Sequence, residues 1–343
     1  KMDVDLLVKL SNSDALAGNE DEVRELIQVE CAKYLSETFR DGLGSLIFHK
    51  SGPSGSPKIM FMAHMDEVGF IVRSISDDGL LYVMPIGNVV NTSKDMQLVR
   101  IHTSQGKVRG VLNSIRDKSN QVLESYVDIG CSSENDVRVL GVSEGDFVYF
   151  ATDALVHENG IVSGKAMDDR AGCFVLIQAV KELFDSYPCD IYFAFTSSEE
   201  VGARGGKTVT ELVQPDLLVA IDTANYSGLG SGFKNHRILG AGPMLVYYDK
   251  TLAPKRRLLS YIQKLLEDAN IPYQKDIFAG GGTDAGTGHL VNAGRLAMVL
   301  GIPLRYCHGS CSFVQLKDLK TVAHVIQLIC SNFTEEVLRD LTN

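Results

Sequence analysis

The sequence predicts an α/β protein whose helix-covered sheet is interrupted by a separate, mostly β segment. Three observations carry this. Segments with apolar residues at helical spacing alternate with short apolar strands in residues 1–68 and again in 162–343, the pattern of a sheet covered on both faces. Between them, residues 69–161 hold short apolar stretches separated by Gly, Asp, Asn and Ser turns, with no convincing long helix. The 343 residues also exceed the usual size of one core, so two domains are expected. Residues 1–68 plus 162–343 are read as one discontinuous α/β domain, and 69–161 as a β barrel or sandwich inserted near a strand end.

In chain order, "NEDEVRELIQVECAKYLSETF" carries its apolar residues on one stripe and opens the chain as an amphipathic helix. "GSLIFHK" and "PKIMFMAHMDE" follow as strands around the turn-rich "SGPSGS". The inserted segment contributes "FIVRSI", "LLYVMPI", "QLVRIHT", "VLESYVDIG" and "DFVYFA". Beyond it come a helix in "RAGCFVLIQAVKELF", strands in "CDIYFAFTS" and "PDLLVAIDTA", and a helix in "KRRLLSYIQKLLEDAN". A strand in "GRLAMVLGIP" and a closing helix in "LKTVAHVIQLICSNFTEEVLRDL" complete the pattern.

A formal net charge of -10, with no basic cluster, argues against nucleic-acid binding. No long apolar run predicts a membrane span, and "KMDVDLLVKLSNSDALAGNE" lacks an apolar signal core. The leading Lys1 suggests that a few residues precede it. Cys31, Cys131, Cys173, Cys189, Cys307, Cys311 and Cys330 are odd in number and scattered, which fits a reduced, cytoplasmic protein.

The chemistry-bearing residues gather near predicted strand ends, where open α/β sheets carry ligands. "AHMDEVGF" offers His64 with Asp66 two residues on, able to hold the other nitrogen of a metal-bound imidazole. In "GKAMDDRAG", one of Asp168 and Asp169 can cap the following helix, which leaves the other for a cation. "FTSSEEVGARGG" places Glu199 and Glu200 together, one suited to activating a water and one to binding metal. Asp222 ends "LLVAID", and His308 follows "RLAMVLGI". Each motif alone has a bland reading as a cap, a core histidine or surface charge. Together His64, Asp168, Glu200, Asp222 and His308 outnumber the ligands one ion needs and suit a two-metal site.

These motifs, with "AIDTANY", "GGGTDAG" and "RYCHGS", closely resemble the M42 family of dinuclear metallo-aminopeptidases over essentially the whole chain. The resemblance implies a zinc-aminopeptidase-type mixed sheet with an inserted PDZ-like domain, two zinc or cobalt ions per subunit, and peptide substrates. It assigns His64 and Asp222 to one metal, Glu200 and His308 to the other, Asp168 as the bridge, Glu199 as general base and Asp66 as the residue orienting His64. It further implies a substrate wall at Gly281, Gly282, Thr283 and Asp284, and assembly as a tetrahedral dodecamer through the insertion. Likeness to the glutamyl aminopeptidase branch suggests N-terminal Glu or Asp, with Lys250 or Arg305 as charge partner. Neutral or broad preference is the alternative, and a non-peptidase metal- or carbohydrate-binding protein is the rival class.

Other signals are set aside. Cys307 and Cys311 flank His308, but no second cysteine pair completes a cysteine-rich site. "GLGSG" is not followed by the helix of a dinucleotide fold, and "AGGGTDAGTGHL" lacks the Gly-Lys ending of a phosphate loop. His289 and His324 sit in helix-patterned stretches and read as structural. Gly309 departs from the family, in which Ser often follows the histidine directly.

Overall fold

The structure is a computed structural model that describes residues 2–226 and 237–343; "GLGSG" lies outside the described residues. Its main sheet has eight strands in the order Thr38–Arg40, Leu46–Lys50, Asp190–Thr196, Lys58–His64, Leu217–Asn225, Leu296–Leu304, Met244–Tyr248, Gln274–Ile277. The four central strands, from Asp190–Thr196 to Leu296–Leu304, run parallel. Their C-terminal ends therefore meet at one edge, with Thr196 opposite His64 and Asp222 opposite Gly301. The Leu46–Lys50 and Met244–Tyr248 strands flank them antiparallel, which makes the sheet mixed.

Strand alternation divides the core between the two faces. Ile59, Phe61 and Ala63 pack with the Val4–Asn12, Asp21–Cys31, Met167–Lys181, Arg256–Asp268 and Leu316–Asn332 helices. Met60 and Met62 point the other way, toward Val209 and Val213 of the Arg204–Val213 helix and Ala285 of Asp284–Gly288. Nearly every side chain of Met167–Lys181 is buried, because this helix lies between the sheet and further helices rather than at the surface.

Strands Gly69–Ile75, Leu81–Ile86, Gln97–Thr103, Gly106–Arg116, Val122–Asp128 and Phe147–Phe150 close into an antiparallel barrel. Closure pairs every strand on both sides and leaves no free edge. Phe70, Val72, Leu81, Val99, Ile101, Leu112, Val127 and Val148 fill its interior, forming a core separate from the two against the sheet. The chain returns through Leu155–Val156, which pairs with Ile161–Gly164, and the latter pairs in turn with Ser312–Gln315 just after the His308 turn. No helix among the described residues is long and apolar enough to cross a membrane.

Candidate metal centre

Both glutamates of the Glu199–Glu200 pair reach one place because their strand stops at Thr196 and Ser198 takes a left-handed φ of 60°. The buried Asp66 carboxylate then accepts the amides of Glu199 at 2.9 Å and Glu200 at 3.0 Å. Asp66 also faces His64, whose Nδ1 lies 2.9 Å from the Asp66 main-chain oxygen and 3.5 Å from its carboxylate. That contact assigns the ring proton to Nδ1 and leaves the Nε2 lone pair free.

His64 Nε2 points into a carboxylate group: 3.2 Å from Asp168 Oδ1, 3.7 Å from Glu199 Oε2 and 3.9 Å from Asp222 Oδ1. His308 Nε2 lies 3.0 Å from the other Asp168 oxygen, Oδ2, and 3.3 Å from Glu200 Oε2. One carboxylate thus presents each of its oxygens to a different imidazole. Asp169 divides the labour: it accepts the Gly172 amide at 3.0 Å and the His64 amide at 3.2 Å, capping the helix behind the site. A Cβ on Gly172 would sit 2.3 Å from Asp169 Oδ1, so this cap requires glycine there.

The charges do not balance within the protein. Burial raises the Glu199 and Asp222 carboxyls well above the usual range, and the Coulombic repulsion from acidic neighbours adds to it. Glu200 is pushed up to about 8 by burial and by Asp168. Burial opposes charging of His308, yet Asp168 and Glu200 lift it to about 9. Asp168 is held well below its ordinary value against its burial, because both histidines contact it. An excess of buried carboxylates around two imidazoles is relieved by divalent cations, and imidazole with carboxylate is a donor set for such ions. The groupings His64–Asp169–Asp222, His64–Glu199–Glu200 and Asp168–Cys307–His308 fit a dinuclear metal centre.

Asp168, Glu199, Glu200, Asp222, Cys307 and His308 open into a cavity of about 470 Å³, with Gly281 and Gly282 on its wall. Thr283 and Asp284 are turned inward instead. Thr283 caps the Asp284–Gly288 helix, while Asp284 accepts the Gly206 amide at 3.0 Å and the Thr196 hydroxyl. Lys250 is exposed and off this wall; its main-chain amide donates to the Gly281 oxygen at 3.1 Å. Arg305 is also off the wall, over the Tyr226 ring at 5.6 Å. A larger cavity of about 620 Å³ lies on the barrel wall beside Arg73, Tyr82 and Leu123 and includes none of the metal donors.

Sequence reading missed Arg237, Asn225, Phe278, Asn88 and Val90, which line the central cavity. Arg237 stacks 4.5 Å from the Phe278 ring centroid and binds Asp276 at 2.9 Å. The wall is assembled from segments far apart in sequence, so no spacing signalled it. The barrel reaches in through residues 88–93: the Val90 amide donates to the His308 oxygen at 3.0 Å, and the Ser310 amide donates to Ser93 Oγ at 3.2 Å. A Cβ on Gly309 would lie 2.4 Å from Ser93 Oγ, which accounts for glycine at that departure from the family pattern.

A buried ion cluster braces the same loops. Asp14 meets Arg100 at 2.6 Å, His102 at 2.7 Å and Lys165 at 2.8 Å. Lys165 meets Glu67 at 2.8 Å, and Glu67 meets Arg170 at 2.7 Å. Arg170 donates to the Met65 oxygen at 2.8 Å. Barrel strand Gln97–Thr103 is thereby tied to the turns that carry His64 and Asp168. Its acidic groups are already matched by cations, so this cluster is not a second metal site.

The sequence profile of the M42 glutamyl aminopeptidase family matches residues 44–325. The chain belongs to that family. It is a metallo-aminopeptidase of the M42 type with the mixed sheet and separate β unit of that architecture. A putative aminopeptidase of Acetivibrio thermocellus is 33% identical, covering 95% of this chain and 98% of the relative. A glutamyl aminopeptidase of Lactococcus lactis is 29% identical over 99% of both chains. A lysyl aminopeptidase of Pyrococcus furiosus is 28% identical over 95% of both. These M42 relatives do not single out the glutamyl branch expected from the motifs.

Among solved structures, a TET aminopeptidase from a marine-sediment Thaumarchaeota archaeon superposes with a TM-score of 0.94 at 30% identity, covering 98% of this chain and 99% of that one. A Pyrococcus horikoshii TET1 peptidase, described as assembling into a tetrahedron or a large octahedral shell, gives 0.85 at 29% identity, covering 96% and 99%.

Proposed function

We propose that this M42 protein is a two-metal aminopeptidase that releases N-terminal residues from unblocked peptides with neutral or broad preference. The observation that carries it is the Asp168 carboxylate, with Oδ1 toward His64 and Oδ2 toward His308. His64 and Asp222 would hold one ion and Glu200 and His308 the other, with the Asp168 carboxylate facing both. Zinc or cobalt suits this mixture of imidazole and carboxylate. Bound divalent metal supplies Lewis-acid polarisation of the scissile carbonyl and lowers the pKa of the attacking water. Glu199 takes the proton from that water and returns it to the leaving amine. Asp66 fixes both Glu199 and His64 through the contacts described above.

Neutral or broad preference is favoured because Lys250 stands off the cavity wall and the Arg237 charge is met by Asp276. Relatives named for glutamyl and lysyl substrates are about equally similar, so an acidic preference has weaker support. Amide-linked Glu, Asp, Leu, Ala and Lys reporters test this on the zinc- or cobalt-loaded protein. Comparable or faster release of Leu, Ala or Lys is expected; strong selectivity for Glu and Asp returns the acidic reading.

We assign residues 1–68 plus 162–343 to the catalytic domain and 69–161 to the insertion, supported by the separate barrel core. The barrel segment exposes Met84, Met96, Leu98, Ile115 and Leu123, apolar surface suited to subunit contacts. With the described assembly of the Pyrococcus horikoshii peptidase, this supports a tetrahedral dodecamer. Light scattering checks it, and a fully active monomer opposes it. The seven free cysteines favour the reducing cytoplasm.

A further inference from the structure

The ligand set of His64, Asp168, Glu200, Asp222 and His308 leaves out the thiol of Cys307, which stands with Asp168 and His308 on the cavity wall. Cys307 Sγ lies 3.0 Å from Asp168 Oδ2, the oxygen that His308 Nε2 also approaches at 3.0 Å. Ligand-capable atoms of Asp168, Cys307 and His308 all fall within 4.8 Å of one another. Neighbouring side chains on an extended strand point to opposite sides. Here Tyr306 and His308 are left-handed, at φ 62° and 57°, which breaks that alternation. Two consecutive side chains consequently converge on one carboxylate oxygen. The other cysteines differ: Cys173 Sγ meets the His64 carbonyl at 3.1 Å, and Cys311 Sγ lies 4.0 Å from the Ser312 carbonyl.

We propose that Cys307 is a sulfur ligand of the metal position held by Glu200 and His308. This rests on the two-metal reading and reverses the dismissal of cysteine made on sequence spacing. On coordination the S–H bond breaks, a sulfur lone pair forms the metal bond, and the proton leaves to solvent; no redox partner is needed. The two positions then differ in chemistry. The one at His64 and Asp222 has nitrogen and oxygen donors, whereas its neighbour adds a soft donor that favours zinc or cobalt over manganese or magnesium. The centre is therefore asymmetric in its metal preference, with the sulfur-bearing position the more selective.

Cobalt(II) titration of the metal-free, full-length protein tests this without relying on activity. Visible d–d absorption reports bound cobalt, and a near-ultraviolet charge-transfer band reports a cobalt–sulfur bond. The band is expected to grow with one of two equivalents, vanish in Cys307→Ser with the d–d bands retained, and persist in Cys311→Ser. Zinc affinity of the affected position should fall by at least about tenfold in Cys307→Ser, with a smaller change for manganese. Should Cys307→Ser fail to fold, zinc-edge X-ray absorption of the unaltered protein keeps the test open, because a sulfur shell near ~2.3 Å is expected. Cobalt bound without the charge-transfer band, a band that survives Cys307→Ser, or a zinc spectrum without sulfur would overturn the ligand and leave the two-metal centre standing. Failure to bind cobalt or zinc at all would overturn both.

Discussion

Asp66 accepts the Glu199 amide at 2.9 Å while its own main-chain oxygen receives His64 Nδ1 at the same distance. A single buried residue thus sets the positions of the proposed base and of one metal ligand. Asp66→Ala removes the carboxylate that holds the Glu199–Glu200 turn but keeps the main-chain contact to His64. Misplacement of a catalytic group by about 1 Å costs on the order of 10²-fold, so kcat should fall by about that factor. Steady-state kinetics of the metal-saturated variant check this. An effect on KM alone would show that the turn holds without Asp66.

Glu199 and Glu200 are neighbours with separate tasks, and isosteric changes should separate them. Glu199→Gln should keep both metals and lose about 10²–10⁴-fold in kcat, the range for a general base. Glu200→Gln should weaken one metal position, with partial recovery of activity at high metal concentration. Metal content after dialysis, measured beside turnover, distinguishes the two.

Gly309 makes room for the barrel. A methyl group placed 2.4 Å from Ser93 Oγ must turn that hydroxyl away from the Ser310 amide and would still press on Ser93 Cβ and Val90 Cγ2 at 3.3 Å. Overpacking of this kind costs about 1–3 kcal/mol, so Gly309→Ala should lower the unfolding midpoint and loosen the metal position at His308. Adding Ser93→Ala should recover part of the loss. A double-mutant cycle with no coupling between the two positions would contradict the contact.

Asp14 gives a pH dependence that lies outside the metal ligands. Burial opposes its charge, but His102, Lys165 and Arg100 hold its carboxyl far below its ordinary 3.8. A depressed folded pKa contributes stability that is fully present above the unfolded value and is lost as pH falls through the folded one. Asp14→Asn should therefore cost about 3–5 kcal/mol at pH 7, the penalty of breaking a buried ion pair. That difference from the parent protein should be unchanged at pH 5 and narrow only below about pH 4. Urea unfolding of both proteins across this range measures it, and a gap that closes between pH 7 and 5 contradicts the assignment.

The fold and the donors were legible for different reasons. Alternating apolar strands and helices exposed the sheet, and His64 ends its parallel strand as expected, whereas Asp222 lies inside the Leu217–Asn225 strand and Asp168 in the first turn of the Met167–Lys181 helix. The Asp168–Asp169 pair divided as capping chemistry allows, although sequence alone left open which residue took which part. Barrel closure was hidden because short alternating strands suit a barrel and a sandwich equally. The substrate wall was illegible for a geometric reason. Asn88, Asn225, Arg237 and Phe278 lie on separate segments, and Thr283 and Asp284 face the protein rather than the cavity. Cys307 is set aside on sequence grounds for want of a second cysteine pair, because the two left-handed residues that turn it beside His308 are not announced by sequence at Tyr or His.

A dinuclear centre that acts at a free N-terminus ties metal stoichiometry to exopeptidase cleavage. The direct measurement pairs metal analysis of the purified protein with digestion of one peptide supplied in free and N-acetylated forms. Two divalent ions per chain and stepwise loss of N-terminal residues from the free peptide alone are predicted, with activity abolished by chelation and restored by zinc or cobalt. A single ion per chain, or equal cleavage of the acetylated peptide, would contradict the account.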